Sequence, residues 1–262
     1  MKQISINECH DILLNIAKEF HRICTENNIP YYMLGGTMLG AIRHKGFIPW
    51  DDDMDFGIPR KDYERALSVL KKEIKAPYQI RTKDEADHYY AWYKIEDKTT
   101  HIDDPCFKIP IEKKIGVNID IFPLDSLDDN DFKLFSKIEK WLKWQQTIFV
   151  ENKQRVKWKA IIKSILRAVI PFGKNHYLDK CEALTQTFRG DKYWGVVYGL
   201  GGERDVKVPK EWYGTKKYPF ESIELFGLTE ADKYLTFRYG DYMKIPPKSQ
   251  WHYHADNIYK EE

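Results

Sequence analysis

The chain has 262 residues, 42% of them hydrophobic, and its 42 Lys and Arg against 40 Asp and Glu leave a net charge of +2. That length buries a sizeable core in one elaborated domain or two small ones, and the charge balance excludes the polyelectrolyte character of a nucleic-acid binder. The N-terminus lacks the apolar core of a signal peptide and no stretch approaches the roughly 20 apolar residues of a membrane span, so a cytoplasmic protein is expected.

Ser5-Ile6-Asn7-Glu8 has the form of a capping box, and Ile6, Cys9, Leu13, Ile16, Phe20 and Ile23 follow at helical spacing. The pattern predicts a first helix that ends at Asn27-Asn28, because Pro30 blocks continuation. Tyr31 to Leu34 reads as a short buried strand, after which Gly35-Gly36 turns the chain. Without side chains the pair lets a ligand approach the backbone, and the helix predicted over Thr37 to His44 offers its first N–H groups to a phosphate. Met54 to Ile58 is predicted as a strand and Asp62 to Ile74 as a helix with Tyr63, Ala66, Leu67 and Leu70 on one face. Tyr78 to Thr82, Tyr89 to Glu96 and Gly116 to Phe122 alternate as strands, which makes the core mixed α and β. Asp131 to Arg189 is predicted as three helices, broken near Lys153 and at Pro171-Phe172-Gly173, and Lys192 to Glu262 as an aromatic, loop-rich segment. Cys9, Cys24, Cys106 and Cys181 are scattered, and free thiols are expected.

Residues 51 to 55 read Asp-Asp-Asp-Met-Asp. On an extended strand Asp51, Asp53 and Asp55 share one face while Asp52 and Met54 take the other. The flanking Ile48, Trp50 and Phe56 are apolar, and carboxylates among apolar residues need a partner. Mg²⁺ or Mn²⁺ suits three hard oxygen ligands, with a surface acidic turn as the plainer alternative. In Val117-Asn118-Ile119-Asp120-Ile121, Asp120 projects opposite Ile119 and Ile121 and is placed to complete such a site. Lys94, between Tyr93 and Ile95, requires a phosphate or one of these aspartates as partner, unless it snorkels from a sheet edge.

Leu34 to Phe56, from Leu-Gly-Gly-Thr through Arg-His-Lys-Gly-Phe to Trp-Asp-Asp-Asp-Met-Asp-Phe, resembles the signature of the LicD family. Asn118-Ile119-Asp120-Ile121-Phe122-Pro123-Leu124-Asp125 and Tyr239-Gly240-Asp241-Tyr242-Met243-Lys244-Ile245-Pro246-Pro247 are similar to later blocks of that family, while the basic middle is not matched. The resemblance implies a phosphotransferase with a nucleotidyltransferase fold, as in bacterial phosphocholine transferases and fukutin-related phosphoribitol transferases. Residues 1–125 would form the nucleotidyltransferase-like core of an α+β protein, 126–190 a basic helical insertion, and 191–262 a segment completing the catalytic domain. Asp53, Asp55 and Asp120 would be catalytic and, with Asp51, would hold two Mg²⁺ or Mn²⁺ ions. Gly35, Gly36, Thr37, Arg43, His44, Lys94, Asp241 and His252 would contact substrate, Arg43 being suited to bidentate phosphate contact; Lys45 and His254 are weaker candidates. The implied reaction moves phosphocholine from CDP-choline to a sugar hydroxyl of a cell-surface glycan precursor of teichoic acid, lipopolysaccharide or capsule type, releasing CMP. Transfer of ribitol or glycerol phosphate, nucleotidyl transfer to a small molecule, and a binding module without activity are the alternatives.

Between Lys140 and Lys174 nine basic residues stand against Glu151. Arg155, Lys159, Lys163 and Arg167 recur every four residues, opposite Ile161, Ile162, Ile165, Leu166 and Val169. A cationic amphipathic helix over 155–170 would either dock on the core or lie at the inner face of the plasma membrane, close to a lipid-linked acceptor.

Overall fold

A computed structural model describes residues 1–85, 88–103, 115–149, 165, 169–199, 201–251 and 257–261. Strand β1 (Lys2–Gln3) leads into α1 (Ile6–Glu26), whose capping box is formed: the Ser5 N–H donates to Glu8 at 2.8 Å and the Glu8 N–H to the Ser5 hydroxyl at 3.3 Å. The predicted apolar stripe of α1 is buried from Cys9 to Ile23, and the helix stops at Asn27 as expected. Strand β2 (Tyr32–Met33), helix α2 (Gly35–Arg43), strand β3 (Asp55–Pro59) and helix α3 (Arg60–Glu73) follow, then β4 (Tyr78–Arg81), β5 (Tyr93–Asp97), β6 (Thr100–Asp103) and β7 (Asn118–Leu127). Helices α4 (Phe132–Phe149) and α5 (His176–Thr185) come next. Beyond it lie β8 (Tyr193–Gly195), the single turn α6 (Glu203–Val206), β9 (Val208–Pro209), β10 (Lys216–Phe220), β11 (Ile223–Gly227), α7 (Ala231–Tyr239) and β12 (Asn257–Lys260).

The main sheet runs β2-β3-β7-β5-β4. Strands β3 and β7 are parallel and the other neighbours antiparallel, so the sheet is mixed and the fold is α+β. On β7 Ile119 and Ile121 face the core while Asn118, Asp120 and Phe122 are half-buried on the opposite face, the alternation a one-sided strand requires. Strand β8 extends the sheet from the far end of β7, and β1, β12 and β6 form a separate small sheet. Helices α1 and α3, with their buried Leu13, Ile16, Phe20, Ala66 and Leu70, pack in one core with Phe56, Ile58 and Ile119 of the sheet. A second cluster centred on Phe135, Ile138, Leu178, Cys181 and Tyr198 holds α4 to α5.

Several expectations shift. The Gly35-Gly36 pair is the first turn of α2 and not a turn before it; Gly35 takes φ +48°, open to a residue without Cβ, and thereby starts the helix two positions early. Only Asp55 of the acidic run is in β3, and Asp51 to Met54 precede the strand as irregular chain. Strand β5 begins at Tyr93, later than predicted. The C-terminal segment is not predominantly loop. It contains the β10–β11 hairpin, closed at Glu221 in a left-handed conformation at φ +52°, and helix α7. Neither feature carries the usual Asn-Gly turn or a clean polar face, since both pack onto the core through Tyr218, Phe220, Leu225, Tyr234 and Leu235. Cys106, the break near Lys153, most of the 155–170 segment, His252 and His254 lie outside the described residues. Of that segment's apolar face, Ile165 and Val169 are described, and both are exposed. Cys9, Cys24 and Cys181 are free and buried.

The loop before β5 carries a buried histidine. His88 Nε2 donates to the Trp92 carbonyl at 2.8 Å, and burial pushes its pKa from 6.5 to about 3. The unfolded chain therefore binds the proton first, and stability should fall as pH drops below 6.5, by up to about 1.4 kcal/mol per pH unit, until the folded value is reached. Urea unfolding of wild type and His88→Gln between pH 7 and 4 checks this: the variant is expected to show the shallower slope.

Candidate active site

The parallel pairing of β3 with β7 sets Asp55 directly beside Asp120, and the antiparallel pairing of β7 with β5 sets Asp120 beside Lys94. Lys94 donates to the Asp120 carboxylate and, at 3.0 Å, to Asn118 Oδ1. It is no edge residue, because β5 lies between β7 and β4. The backbone holds the acids in place: the Asp55 N–H donates to the Thr37 hydroxyl at 2.8 Å, and the Asp120 N–H to the Met54 carbonyl at 2.8 Å. Thr37 thus fastens the start of α2 to the acid strand.

The alternation of the acidic run survives outside a ladder. Asp51, Asp53 and Asp55 are half-buried, while Asp52 and Met54 are buried. Asp55 is pushed well above the usual carboxylate range, first by burial and then by Asp53, Asp120 and Asp51, with Lys94 opposing. Four carboxylates therefore act on one another beside the Lys94 ammonium. Among the described residues no three His, Cys, Asp or Glu side chains are closed into a ready-made metal cage. The donor set is nonetheless all oxygen and mutually repulsive, which fits a hard divalent cation.

Glycines give this site its room. A Cβ on Gly35 would stand 3.2 Å from Asp55 Oδ2, and one on Gly36 would stand 2.6 Å from Asp51 Oδ2. Gly36→Ala must therefore displace the Asp51 carboxylate. A loss of up to about 10²-fold in turnover with an unchanged far-ultraviolet spectrum is expected, and full activity would remove Asp51 from the site.

Helix α7 closes the site from the distant end of the chain. The Gly35 N–H donates to the Tyr234 hydroxyl at 2.9 Å, and Tyr239 Oη lies 3.7 Å from the position of a Gly35 Cβ. Gly35, Asp55, Phe122, Tyr213, Tyr234 and Arg238 line a half-open cavity of about 70 Å³.

The remaining sequence candidates are spread around this centre. Arg43 Nη1 donates to the Tyr242 carbonyl at 2.8 Å and Arg43 Nε to His44 Nε2 at 2.9 Å. In that arrangement Arg43 holds the 240s turn, and burial followed by the Arg43 charge keeps His44 below its ordinary pKa. Trp50 stacks on Trp251 at 4.0 Å, a second tie between the same two segments. Lys45 and Asp241 are exposed. Tyr234, Arg238 and Asp205 carry no signal of their own in the sequence; Tyr234 and Arg238 stand shortly before the Tyr239-Gly240-Asp241 block, whereas Asp205 is distant from it.

Residues 28–159 match the family described as LicD/FKTN/FKRP, nucleotidyltransferase domain. Over 99% of both chains the protein is 31% identical to the lipopolysaccharide cholinephosphotransferase LicD of Haemophilus influenzae. An uncharacterized protein of Rickettsia typhi is 34% identical over 97 residues, covering 34% of this chain and 31% of its own, and one of Rickettsia prowazekii is 39% identical over 79. The protein is a transferase. It belongs to the LicD family, and the likeness to the Haemophilus enzyme runs through the basic middle that the sequence blocks alone left unmatched.

Proposed function

We propose that the protein transfers phosphocholine from CDP-choline to a sugar hydroxyl of a lipopolysaccharide-type glycan precursor and releases CMP. The observation that carries the reading is the Asp55–Asp120 pairing beside Lys94, in a chain similar end to end to a cholinephosphotransferase. We read β3, β7 and the α2 turn as a nucleotidyltransferase-like core, residues 126–190 as the helical insertion, and the last segment as the wall that completes the site. Asp53 and Asp55, with Asp51 or Asp120, would hold one or two Mg²⁺ or Mn²⁺ ions. A divalent ion bound there neutralises the donor diphosphate and the leaving phosphate.

The protein's own groups supply position and proton handling. The acceptor hydroxyl attacks the phosphorus distal to cytidine, the bond from that phosphorus to the CMP oxygen breaks, and Asp120 takes the hydroxyl proton. Lys94 holds the Asp120 carboxylate in the orientation this requires. The enzyme works in the cytoplasm, and among the described residues no helix is long and apolar enough to cross a membrane. Exposed Ile165 and Val169 support peripheral contact of the 155–170 segment with the membrane that carries a lipid-linked acceptor.

Incubation with Mg²⁺ and CDP-choline, CDP-ribitol, CDP-glycerol or nucleoside triphosphates, with CMP and pyrophosphate both followed, tests the proposal. CMP from CDP-choline supports it. CMP from another CDP-alcohol alone reassigns the transferred group, and pyrophosphate from a triphosphate rejects the reaction class.

A further inference from the structure

We propose that Arg238 binds the phosphates of the donor in the cavity above Asp55, and that Asp205 is the positioning residue that aims it. Arg238 stands one helical turn after Tyr234, whose hydroxyl takes the Gly35 N–H, so α7 presents both residues toward the same site. The guanidinium lines the cavity together with Gly35 and Asp55. Its Nη1 donates to the Asp205 carboxylate and its Nε to the Tyr239 hydroxyl at 3.3 Å, whereas Nη2 donates to none of the described residues.

Arg60, half-buried like Arg238, makes a useful contrast. Arg60 engages Asp125 with both prongs of its fork, Nε at 2.7 Å and Nη2 at 2.9 Å, the geometry of a closed structural pair. Arg238 makes a single contact to Asp205 and keeps a prong unspent in a cavity. Much of the surrounding backbone serves to place Asp205. The Gly201 N–H donates to Asp205 Oδ2 at 2.9 Å, and a Cβ would lie 2.7 Å from that oxygen at Gly199 and 2.2 Å at Gly201. Gly199 and Gly201 thus leave room for a fixed carboxylate beside Arg238.

A diphosphate entering this cavity meets Asp55 on one wall and needs positive charge on the other. Arg238 supplies it, and a planar fork with one prong held and one open suits a phosphate oxygen. Identifying the anion as the donor diphosphate rests on the function proposed above.

Calorimetric titration of the full chain with inorganic pyrophosphate and with CDP, in Mg²⁺, tests the site independently of turnover. Arg238→Gln is expected to weaken both by roughly 10- to 100-fold, and Arg238→Lys, which keeps the charge and the partner Asp205, by less. Asp205→Asn is expected to weaken pyrophosphate binding although Arg238 is present, and to raise KM for the donor more than it lowers kcat. No pyrophosphate binding by wild type, or unchanged binding by any folded variant of Arg238, overturns the assignment. CMP release from CDP-choline, measured alongside, separates the two claims. Arg238-dependent pyrophosphate binding without CMP release keeps the site and rejects the donor, while CMP release with binding independent of Arg238 does the reverse.

Discussion

Asp55→Asn is expected to lower turnover by about 10³-fold while raising the melting temperature of the protein in the absence of divalent ions. Both effects have one cause. Asp55 is held in a half-buried position where desolvation and the charges of Asp53, Asp120 and Asp51 oppose its ionisation and the Lys94 ammonium offsets only part of the cost. The isosteric amide removes that repulsion, and each kcal/mol relieved is worth roughly 2–4 °C in a chain of this size. It also removes the carboxylate on which the charges of Asp53, Asp120 and Asp51 converge. Scanning calorimetry with and without Mg²⁺ reads the two arms together: wild type should gain stability from the ion, and the variant should begin higher and gain little. A variant that melts below metal-free wild type would show that the carboxylates are not in conflict, and the case for a cation here would fall with it.

Arg60→Met is expected to cost about 3–5 kcal/mol, the usual penalty for removing one partner of a buried ion pair. Arg60 opens α3, where it joins Asp125 at the far end of β7 to Glu182 of α5, with Nη1 at 3.2 Å, and to the Tyr198 hydroxyl at 3.2 Å. Tyr198 in turn donates to Glu182 at 2.7 Å. The network ties α5 to α3 and the main sheet, and Asp125 is nearly enclosed, with burial raising its pKa against the pull of Arg60. Unfolding in urea should show the loss, and Asp125→Leu combined with Arg60→Met should recover much of it, because no orphaned charge remains. If the double variant were as unstable as the sum of the two single ones, the network would be a loose surface contact and not a clamp.

Local chemistry made the first half of the protein legible. The Ser5–Glu8 box and the Cys9 to Ile23 stripe define α1 without reference to anything distant, and the 51–55 alternation marks which carboxylates share a side. A lysine between Tyr93 and Ile95 calls for a phosphate or an aspartate unless it snorkels from a sheet edge; the internal place of β5 removes the second option and sheet register selects Asp120. The second half was less readable for a physical reason. Asp205 and Arg238 lie 33 positions apart, and Arg60 and Glu182 lie 122 apart, so each looks like an ordinary surface charge until the chain is folded. Helix α7 did leave one local trace, Gly240 at φ +71° just past its end, the common stop signal of a helix.

The hydrogen bond from Gly35 to Tyr234 spans 199 positions, as does the one from Arg43 to the Tyr242 carbonyl. Contacts of that separation are made only after a long loop has been closed, and they slow folding more than they add to stability. During synthesis the acidic strand emerges from the ribosome well before the helix that covers it. Until α7 arrives, the newly made chain carries its carboxylates on an open face, and the cavity above Asp55 is among the last parts of the protein to exist.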